Sequence, residues 1–179
     1  NKEILLVSGS NKKKDFEVLD VMRYLKNDKN LKINIGIAYN PYLKHYYNLG
    51  AERFRFEKKI STGLTKSIWL QFGTDTKLLE SEIIYLKKSI LNNRSKNIDQ
   101  NIKIYGSLLI PSKQFISRFR FRPWKEVYIS DKYLNSIHNF YKFTKDLLKI
   151  YHENNICPVI ETEFSSLDKL EDIYTLLKT

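Results

Sequence analysis

The chain has 179 residues, of which 42% are hydrophobic, and this is enough apolar material for one domain with a sizeable core. It carries 31 Lys and Arg against 20 Asp and Glu, so its formal net charge is +11, and its single cysteine is Cys157. One cysteine excludes an intramolecular disulfide framework and a cysteine-based zinc site. No apolar run approaches the roughly 18 residues that a membrane span needs, and no signal peptide opens the sequence, so we expect a cytoplasmic protein without membrane contact.

The net positive charge of the chain bears on the kind of partner that the protein binds. An excess of cations suggests a partner that bears phosphates or carboxylates, such as a nucleic acid, a nucleotide cofactor or an anionic substrate. The chain is also rich in Lys, Asn and Ile throughout, and its lysines are spread along every segment, which is typical of a general compositional bias. The three histidines, His45, His138 and His152, lack the spacing of metal ligands, so no metal site is predicted.

Apolar runs alternate with helical patterns along the chain. Short runs rich in β-branched and aromatic residues predict buried strands, and apolar residues at spacings of three and four predict helices between them. Gly63 is predicted to end the second helix. Strands are predicted at 3–7, 33–39, 67–72, 102–110 and 158–163. Helices are predicted at 18–25, 49–60, 76–92, within 114–124, at 131–154 and, capped by Ser165 or Ser166, at the C-terminal end.

Strict alternation of strands and helices predicts an α/β fold. Five strand-plus-helix units with near-continuous apolar strands indicate a parallel sheet covered by helices, either doubly wound or part of a (β/α)8 TIM barrel. No glycine-rich phosphate motif follows any strand, so the nucleotide-binding fingerprints of the doubly wound class are missing and the barrel is favoured. We therefore interpret residues 1–179 as a single α/β domain of five consecutive βα units, a partial barrel.

Three side chains are singled out by their position after strands. Gln71 interrupts the third apolar run near its carboxyl end, Tyr39 lies at the same end of the second run, and His45 follows in the next loop. Ligands bind at the carboxyl ends of parallel strands, because the loops there vary without disturbing the core. All three are candidate ligand contacts. The alternatives are an interior amide bonded to its neighbours for Gln71 and ordinary strand-end packing for Tyr39.

Two clusters of charge are further candidates. Glu161 and Glu163 alternate on the last strand, so they point the same way and are a candidate acidic pair at the barrel mouth. Arg118, Arg120 and Arg122, with phenylalanines between them, resemble a stripe that binds single-stranded nucleic acid. The alternative for the arginines is packing with a basic rim.

The order of the segments resembles that of a known family. EILLVSGS, INIGIAYNPY, FEKKISTGLTKSIWLQFGTD and IKIYGSLLIPSKQF are similar, in that order, to strands four to seven of the flavin-dependent methylenetetrahydrofolate reductase barrel. PVIETE stands where the eighth strand would come, so the resemblance extends over nearly the whole chain. Its most specific part is the family pattern K-x-x-x-G…Q, which recurs as Lys59, Gly63 and Gln71.

The resemblance implies a TIM barrel that holds FAD and passes a hydride from NADH or NADPH to methylenetetrahydrofolate. It implies that Gln71 hydrogen-bonds the pterin of a reduced folate and that Lys59 lies near the FAD phosphates as a point charge. Tyr39 would help to wall the flavin site, and the loop after the first strand would touch the flavin. The candidate cofactor-binding residues are Ser8, Gly9, Ser10, Tyr39, His45 and Lys59.

Two departures from the family pattern bear on the function. Ser8-Gly9-Ser10 stands where the family usually carries Arg-Gly-Asp, and loss of that aspartate would alter redox tuning or flavin affinity. The family's first three strands and their catalytic glutamate have no counterpart here, and five strands cannot close an eight-stranded barrel. We therefore expect either that a missing N-terminal segment or a second chain completes the barrel, or that this is a shortened relative with a binding role.

Three functions follow from these observations. The main prediction is a methylenetetrahydrofolate reductase-like oxidoreductase of one-carbon metabolism, with its catalytic residues unknown. The second is a non-flavin relative that binds a reduced folate and either transfers a methyl group or serves as a subunit of a larger assembly, which Ser10 favours. The third, less favoured, is a basic α/β module that binds nucleic acid through the three arginines. In a folate-binding protein the same arginines would meet the γ-carboxylates of a polyglutamylated folate.

Overall fold

The computed structural model describes residues 2–8, 16–28, 33–94, 101–162, 171 and 173–175. Strands and helices alternate along these ranges, and a short 3-10 turn, Leu43–His45, precedes the second helix. The strands are β1 (Lys2–Leu6), β2 (Ile33–Tyr39), β3 (Thr65–Leu70), β4 (Lys103–Leu109) and β5 (Cys157–Glu161). The helices are α1 (Val18–Asn27), α2 (Leu49–Ile60), α3 (Thr76–Arg94), α4 (Lys113–Phe121), α5 (Asp131–Leu134) and α6 (Ile137–Glu153).

The five strands form one parallel sheet whose spatial order, β1-β2-β3-β4-β5, is the order of the chain. Right-handed crossovers between parallel strands place successive helices on the same face when the order never reverses. The sheet therefore curls as a half-barrel with its helices outside. This confirms an α/β fold with five consecutive parallel strands, and the order differs from that of a doubly wound sheet.

The outer face of the sheet carries the core. Ile37, Ile68 and Ile104 lie opposite one another on three neighbouring strands, and all three are buried. Gly106, on the same face of β4, lets helix α6 approach closely. A Cβ at this position would lie only 2.4 Å from the ring of Tyr151, which fills the space instead and donates a hydrogen bond to the Ser107 carbonyl at 2.9 Å.

The inner, concave face is polar and aromatic. Trp69 on β3 stacks on Tyr105 of β4, with ring centroids 4.6 Å apart. The indole of Trp69 donates to the Ser67 hydroxyl at 2.9 Å, and that hydroxyl donates to the carboxylate of Glu3 on β1. At the other side of this face the Ser107 hydroxyl donates to Glu161 at 2.5 Å. The bond from Ser67 to Glu3 therefore joins β3 to β1, two strands that are not neighbours in the sheet.

The end of the second helix follows the sequence prediction. Gly63 has a positive φ of 82°, which glycine adopts without steric cost, and its N–H donates to the Ile60 carbonyl at 3.1 Å. The chain turns here and enters β3 two residues later.

The prediction of one long helix over 131–154 was wrong. The chain forms α5 and α6 with a break at Asn135 and Ser136. Ser136 has an extended backbone, and its hydroxyl accepts a hydrogen bond from the Asn139 N–H at 3.2 Å, so it begins a new helix as an N-cap. A serine that caps satisfies a backbone donor that a continuous helix would otherwise bond internally.

The C-terminal predictions are only partly covered. Residues 171 and 173–175 are helical, and Ile173 is buried. The predicted capping residues Ser165 and Ser166, and Glu163, lie outside the described residues. Among the helices that are described, none is both long and apolar enough to cross a membrane.

Candidate ligand-binding cleft

A cleft of about 1900 Å³ opens at the carboxyl ends of β1, β2 and β3. The residues that end or follow these strands form its floor, and helices α2 and α4 with the segment 122–127 form much of its walls. This is the edge of a parallel α/β sheet at which ligands bind. The floor residues are Leu6, Val7, Ser8, Ala38, Tyr39, Asn40 and Gln71.

Gln71 is exposed on the floor of the cleft. Its backbone N–H donates to the Tyr39 carbonyl at 2.9 Å, which extends the pairing of β2 and β3 by one residue. Because side chains alternate between the faces of a strand and Leu70 is buried, the amide of Gln71 points away from the helices. It bonds to no other side chain among the described residues, so the prediction of a neighbour-bonded interior amide is not supported by its position.

The ring of Tyr39 is buried on the helix side of the sheet. It packs edge-on against Phe56, with ring centroids 5.3 Å apart, and its hydroxyl donates to Glu82 of α3. Burial, together with the hydrogen bond to Glu82, raises the pKa of Tyr39 far above its ordinary value. Tyr39 lines the cleft but is only 1% exposed, and a flavin-wall role for Tyr39 stays a prediction.

Arg53 of α2 is partly exposed, with 39% of its side chain open to solvent. It donates through Nε and Nη2 to both oxygens of Glu82, a carboxylate that is completely buried. Its guanidinium also lies 4.4 Å from the centre of the Tyr85 ring. The hydrogen bond to Glu82 raises the pKa of Arg53, so the arginine stays charged and ties α2 to α3.

His45 lies outside the cleft. Its ring stacks on Tyr128 with centroids 3.6 Å apart, and its Nε2 lies 3.0 Å from Asp75 Oδ2. The other oxygen of Asp75 accepts from the Leu78 N–H at 3.0 Å and so caps α3. His45 thus joins three segments of the chain, and its cofactor-binding role stays a prediction.

The other predicted cofactor residues divide into two groups. Ser8, Tyr39 and Lys59 line the cleft, whereas Gly9 and Ser10 lie outside the described residues. Three of the four described members of the predicted flavin set therefore share the cleft, and His45 lies outside it. A flavin site built from that set stays a prediction.

The three arginines in α4 and directly after it do not all face the same way. Arg118 and Arg122 line the cleft, and Arg120 points away from it. Arg120 donates to the Leu134 carbonyl and, at 2.8 Å, to Asn135 Oδ1. A stripe of three equivalent arginines is therefore not formed, because residues two apart face different sides of a helix.

Sequence reasoning missed much of the remaining cleft. Asn40 bridges its segments, since its amide donates to the Glu126 carbonyl at 3.0 Å and its oxygen accepts from the Tyr42 N–H at 2.9 Å. Glu52, nearly buried, accepts from the Asn40 N–H and from Arg55 at 2.6 Å. The signal for Asn40 was its place in Asn-Pro directly after a strand.

The structure describes only one member of the candidate acidic pair at the end of β5. Glu161 is engaged by Ser107, and its partner Glu163 lies outside the described residues. No group of three or more His, Cys, Asp or Glu in the described part of the chain is arranged to hold a metal ion.

Comparison with known proteins places this geometry in context. No family model matches the sequence, and no curated protein matches it. Among solved structures, the fold is similar to an uncharacterized protein from Clostridium thermocellum that binds two copies of 5-methyl-5,6,7,8-tetrahydrofolic acid. The TM-score is 0.55 at 17% identity; the match covers 91% of this chain and 58% of the other, so this chain spans little more than half of that protein. The chain therefore shares its fold with a methyltetrahydrofolate-binding protein.

Proposed function

We propose that the chain binds a reduced folate in the cleft and does so without a flavin. The observation that carries the proposal is Gln71, whose exposed amide stands on the cleft floor at the carboxyl end of β3. The shared fold with a methyltetrahydrofolate-binding protein supports it.

The chemistry of an amide suits a pterin. A glutamine side chain offers one carbonyl acceptor and an NH2 group with two donors in a single plane. A pterin edge is also planar and alternates donors with acceptors, so one glutamine can make two hydrogen bonds to it. An apolar side chain at the same position would leave those pterin groups without partners, which costs about 1–3 kcal/mol.

The non-flavin form is preferred over the reductase because of where the predicted flavin contacts lie. Tyr39 and His45 are both engaged by other parts of the chain, at Glu82 and Asp75. FAD binding and hydride transfer from NADH or NADPH stay predictions. Methyl transfer, or a place as a subunit of a larger assembly, is the role that a flavin-free folate protein would have.

Isothermal titration calorimetry tests the proposal directly. The protein is titrated separately with 5-methyltetrahydrofolate and with FAD. Binding of the folate with no heat from FAD is expected. If FAD binds, and a flavin absorbance band stays with the protein on gel filtration, a reductase-like function is favoured instead. If the folate does not bind, the proposal is wrong.

A matched pair of variants locates the site. Gln71→Leu is expected to weaken folate binding about 10-fold to 100-fold, the equivalent of the unpaired pterin groups. Gln114→Leu removes the same side chain from an exposed position on α4 outside the cleft and should leave the affinity unchanged. Equal affinities for the two variants would place the folate elsewhere.

A further inference from the structure

The strand at one edge of the sheet is apolar and open to solvent. Ile4 and Leu5 of β1 are 44% and 40% exposed, and Val7, directly after the strand, is 51% exposed. The register partner of Ile4 on the interior strand β2 is Ile35, which is only 1% exposed. β1 pairs with β2 on one side, and none of the described strands pairs with its other side. Apolar side chains and unpaired backbone groups therefore meet along one free edge.

A free edge of this kind can pair with a strand of another molecule. Its N–H and C=O groups can be satisfied by a further strand, and natural proteins block such edges with proline, charge or bulges. The strand Lys2–Leu6 contains no proline, its pairing with β2 has no bulge, and its two charged residues both stand at its beginning. Residues 4–7, with the sequence ILLV, therefore form an unblocked apolar edge.

The opposite edge of the described sheet is blocked. The Ile110 N–H donates to the Glu161 carbonyl at 2.9 Å, so Glu161 turns its backbone groups toward β4. Backbone groups of successive residues in a strand point to alternate sides, so those of Pro158 and Ile160 point to the free side of β5. Pro158 has no N–H to donate there. Of these two edges, β1 alone offers a donor at every position.

We propose that the β1 edges of two copies of this chain pair in an antiparallel, symmetric dimer, which joins two five-stranded sheets into one. A two-fold axis brings identical edges together and reverses the direction of one of them. An axis at Leu5 sets Leu5 opposite its own copy and Ile4 opposite Leu6, so apolar side chains meet at the centre. Lys2 then lies opposite Ser8, and like charges do not face each other.

A second copy accounts for exposure on both faces of the edge. Ile4 and Leu5 point to opposite faces of the sheet, so an element packed on one face would cover only one of them. A neighbouring strand contacts both, because its own side chains also alternate between the faces. An antiparallel pair directs the carboxyl ends of its strands in opposite directions, so the two clefts open at opposite ends of the joined sheet. The dimer stands independently of what the cleft binds.

The mass of the protein in solution tests the proposal. Two strands of five residues bury little area, so we expect a weak dimer with a dissociation constant on the order of 10 µM. In analytical ultracentrifugation the protein should be mostly monomeric at about 1 µM and mostly dimeric at about 100 µM. A monomer at both concentrations overturns the proposal. Assemblies larger than a dimer also overturn it, because they require open-ended pairing between unlike edges.

Opposite charges at Leu5 test the self-pairing. Leu5→Lys and Leu5→Glu should each stay monomeric at about 100 µM, because each places like charges opposite one another, and an equal mixture should form the dimer again. Ile160→Lys is the matched control, since Ile160 is 38% exposed on β5, and it should dimerise like the unmodified protein. Dimers of Leu5→Lys alone, a mixture of folded variants that stays monomeric, or loss of the dimer in Ile160→Lys would each overturn the proposal.

Hydrogen exchange of the unmodified protein is a test that needs no variant to fold. Amide protons of residues 3–7 should exchange about threefold more slowly at roughly 100 µM than at roughly 1 µM, because pairing protects those on the free side of β1. Amide protons of residues 157–161 should exchange equally fast at the two concentrations. Equal rates for residues 3–7, or slower exchange at 157–161 in the concentrated sample, would show that β1 is not the interface.

Discussion

The hydroxyl of Tyr39 and the carboxylate of Glu82 form a buried hydrogen bond that joins β2 to α3. The same carboxylate accepts from Arg53 of α2, so one acid holds three elements behind the floor of the cleft. Glu82 has no exposed surface, and its charge is compensated by these two partners. Their geometry therefore fixes the carboxyl end of β2, directly beside Gln71.

Removing the cation from this group should be costly. Arg53→Ala leaves a buried carboxylate without its counter-charge, and we expect the free energy of unfolding to fall by about 3 kcal/mol or more. Urea denaturation followed by circular dichroism measures it. Arg23→Ala is the control, because Arg23 pairs with Asp20 on the surface with both side chains more than half exposed. A loss below about 1 kcal/mol for both variants would show that the buried pair contributes no more than a surface pair.

Stability should fall in alkaline solution. Burial raises the pKa values of Tyr39, Tyr42 and Tyr151 above the ordinary value of 10.0. The unfolded chain then releases these protons at lower pH than the folded chain, so the stabilisation is fully present below about pH 10 and is lost above it. Each tyrosine contributes a slope of about 1.4 kcal/mol per pH unit.

The urea midpoint, measured between about pH 8 and pH 11, checks this expectation. Tyr39→Phe removes one titrating group and should make the alkaline slope shallower by one proton. An unchanged slope in that variant would mean that Tyr39 ionises equally easily in both states.

Gly106→Ala should destabilise the contact between β4 and α6. The added Cβ would lie 2.4 Å from the Tyr151 ring, so the ring or the helix must move, at a cost of about 1–3 kcal/mol. The thermal midpoint and urea midpoint report it. In a Tyr151→Ala background the same glycine change should cost almost nothing, and a cost that persists there would assign the effect to the backbone of β4.

Helix capping can be tested at the break between α5 and α6, because a serine begins each of these two helices. Ser136→Ala removes the hydroxyl that accepts from the Asn139 N–H, and we expect a loss of about 1 kcal/mol in the free energy of unfolding. Ser130 begins α5 but makes no side-chain capping bond, so Ser130→Ala should change stability by a few tenths of a kcal/mol at most. Equal losses for the two serines would contradict a capping role for Ser136.

Local pattern was sufficient to predict the strands and most helices. The alternation at Leu70 and Gln71, read with the rule that side chains alternate across a strand, was enough to separate a buried residue from a cleft residue. The role of Gly63 at the helix end was also predictable, because its conformation depends on a few neighbouring bonds.

Side chains whose environment is built by distant segments were not predictable. Arg53 lies on α2, and its hydrogen bond depends on the position of Glu82, 29 residues away in the sequence. His45 likewise needs Asp75 and Tyr128 to define its surroundings. Long-range pairing of this kind leaves no periodic trace in one sequence, so position after a strand could single out Tyr39 and His45 but could not show which partners they contact.

The sequential order of the strands has a consequence for how the chain is made. Each strand from β2 onward pairs with the strand that left the ribosome just before it. No position in the sheet must be held open for a later strand, so the half-barrel can grow by adding one βα unit at a time during synthesis. The floor of the cleft, which needs only β1 to β3, would then take shape before α4 arrives to form its basic rim.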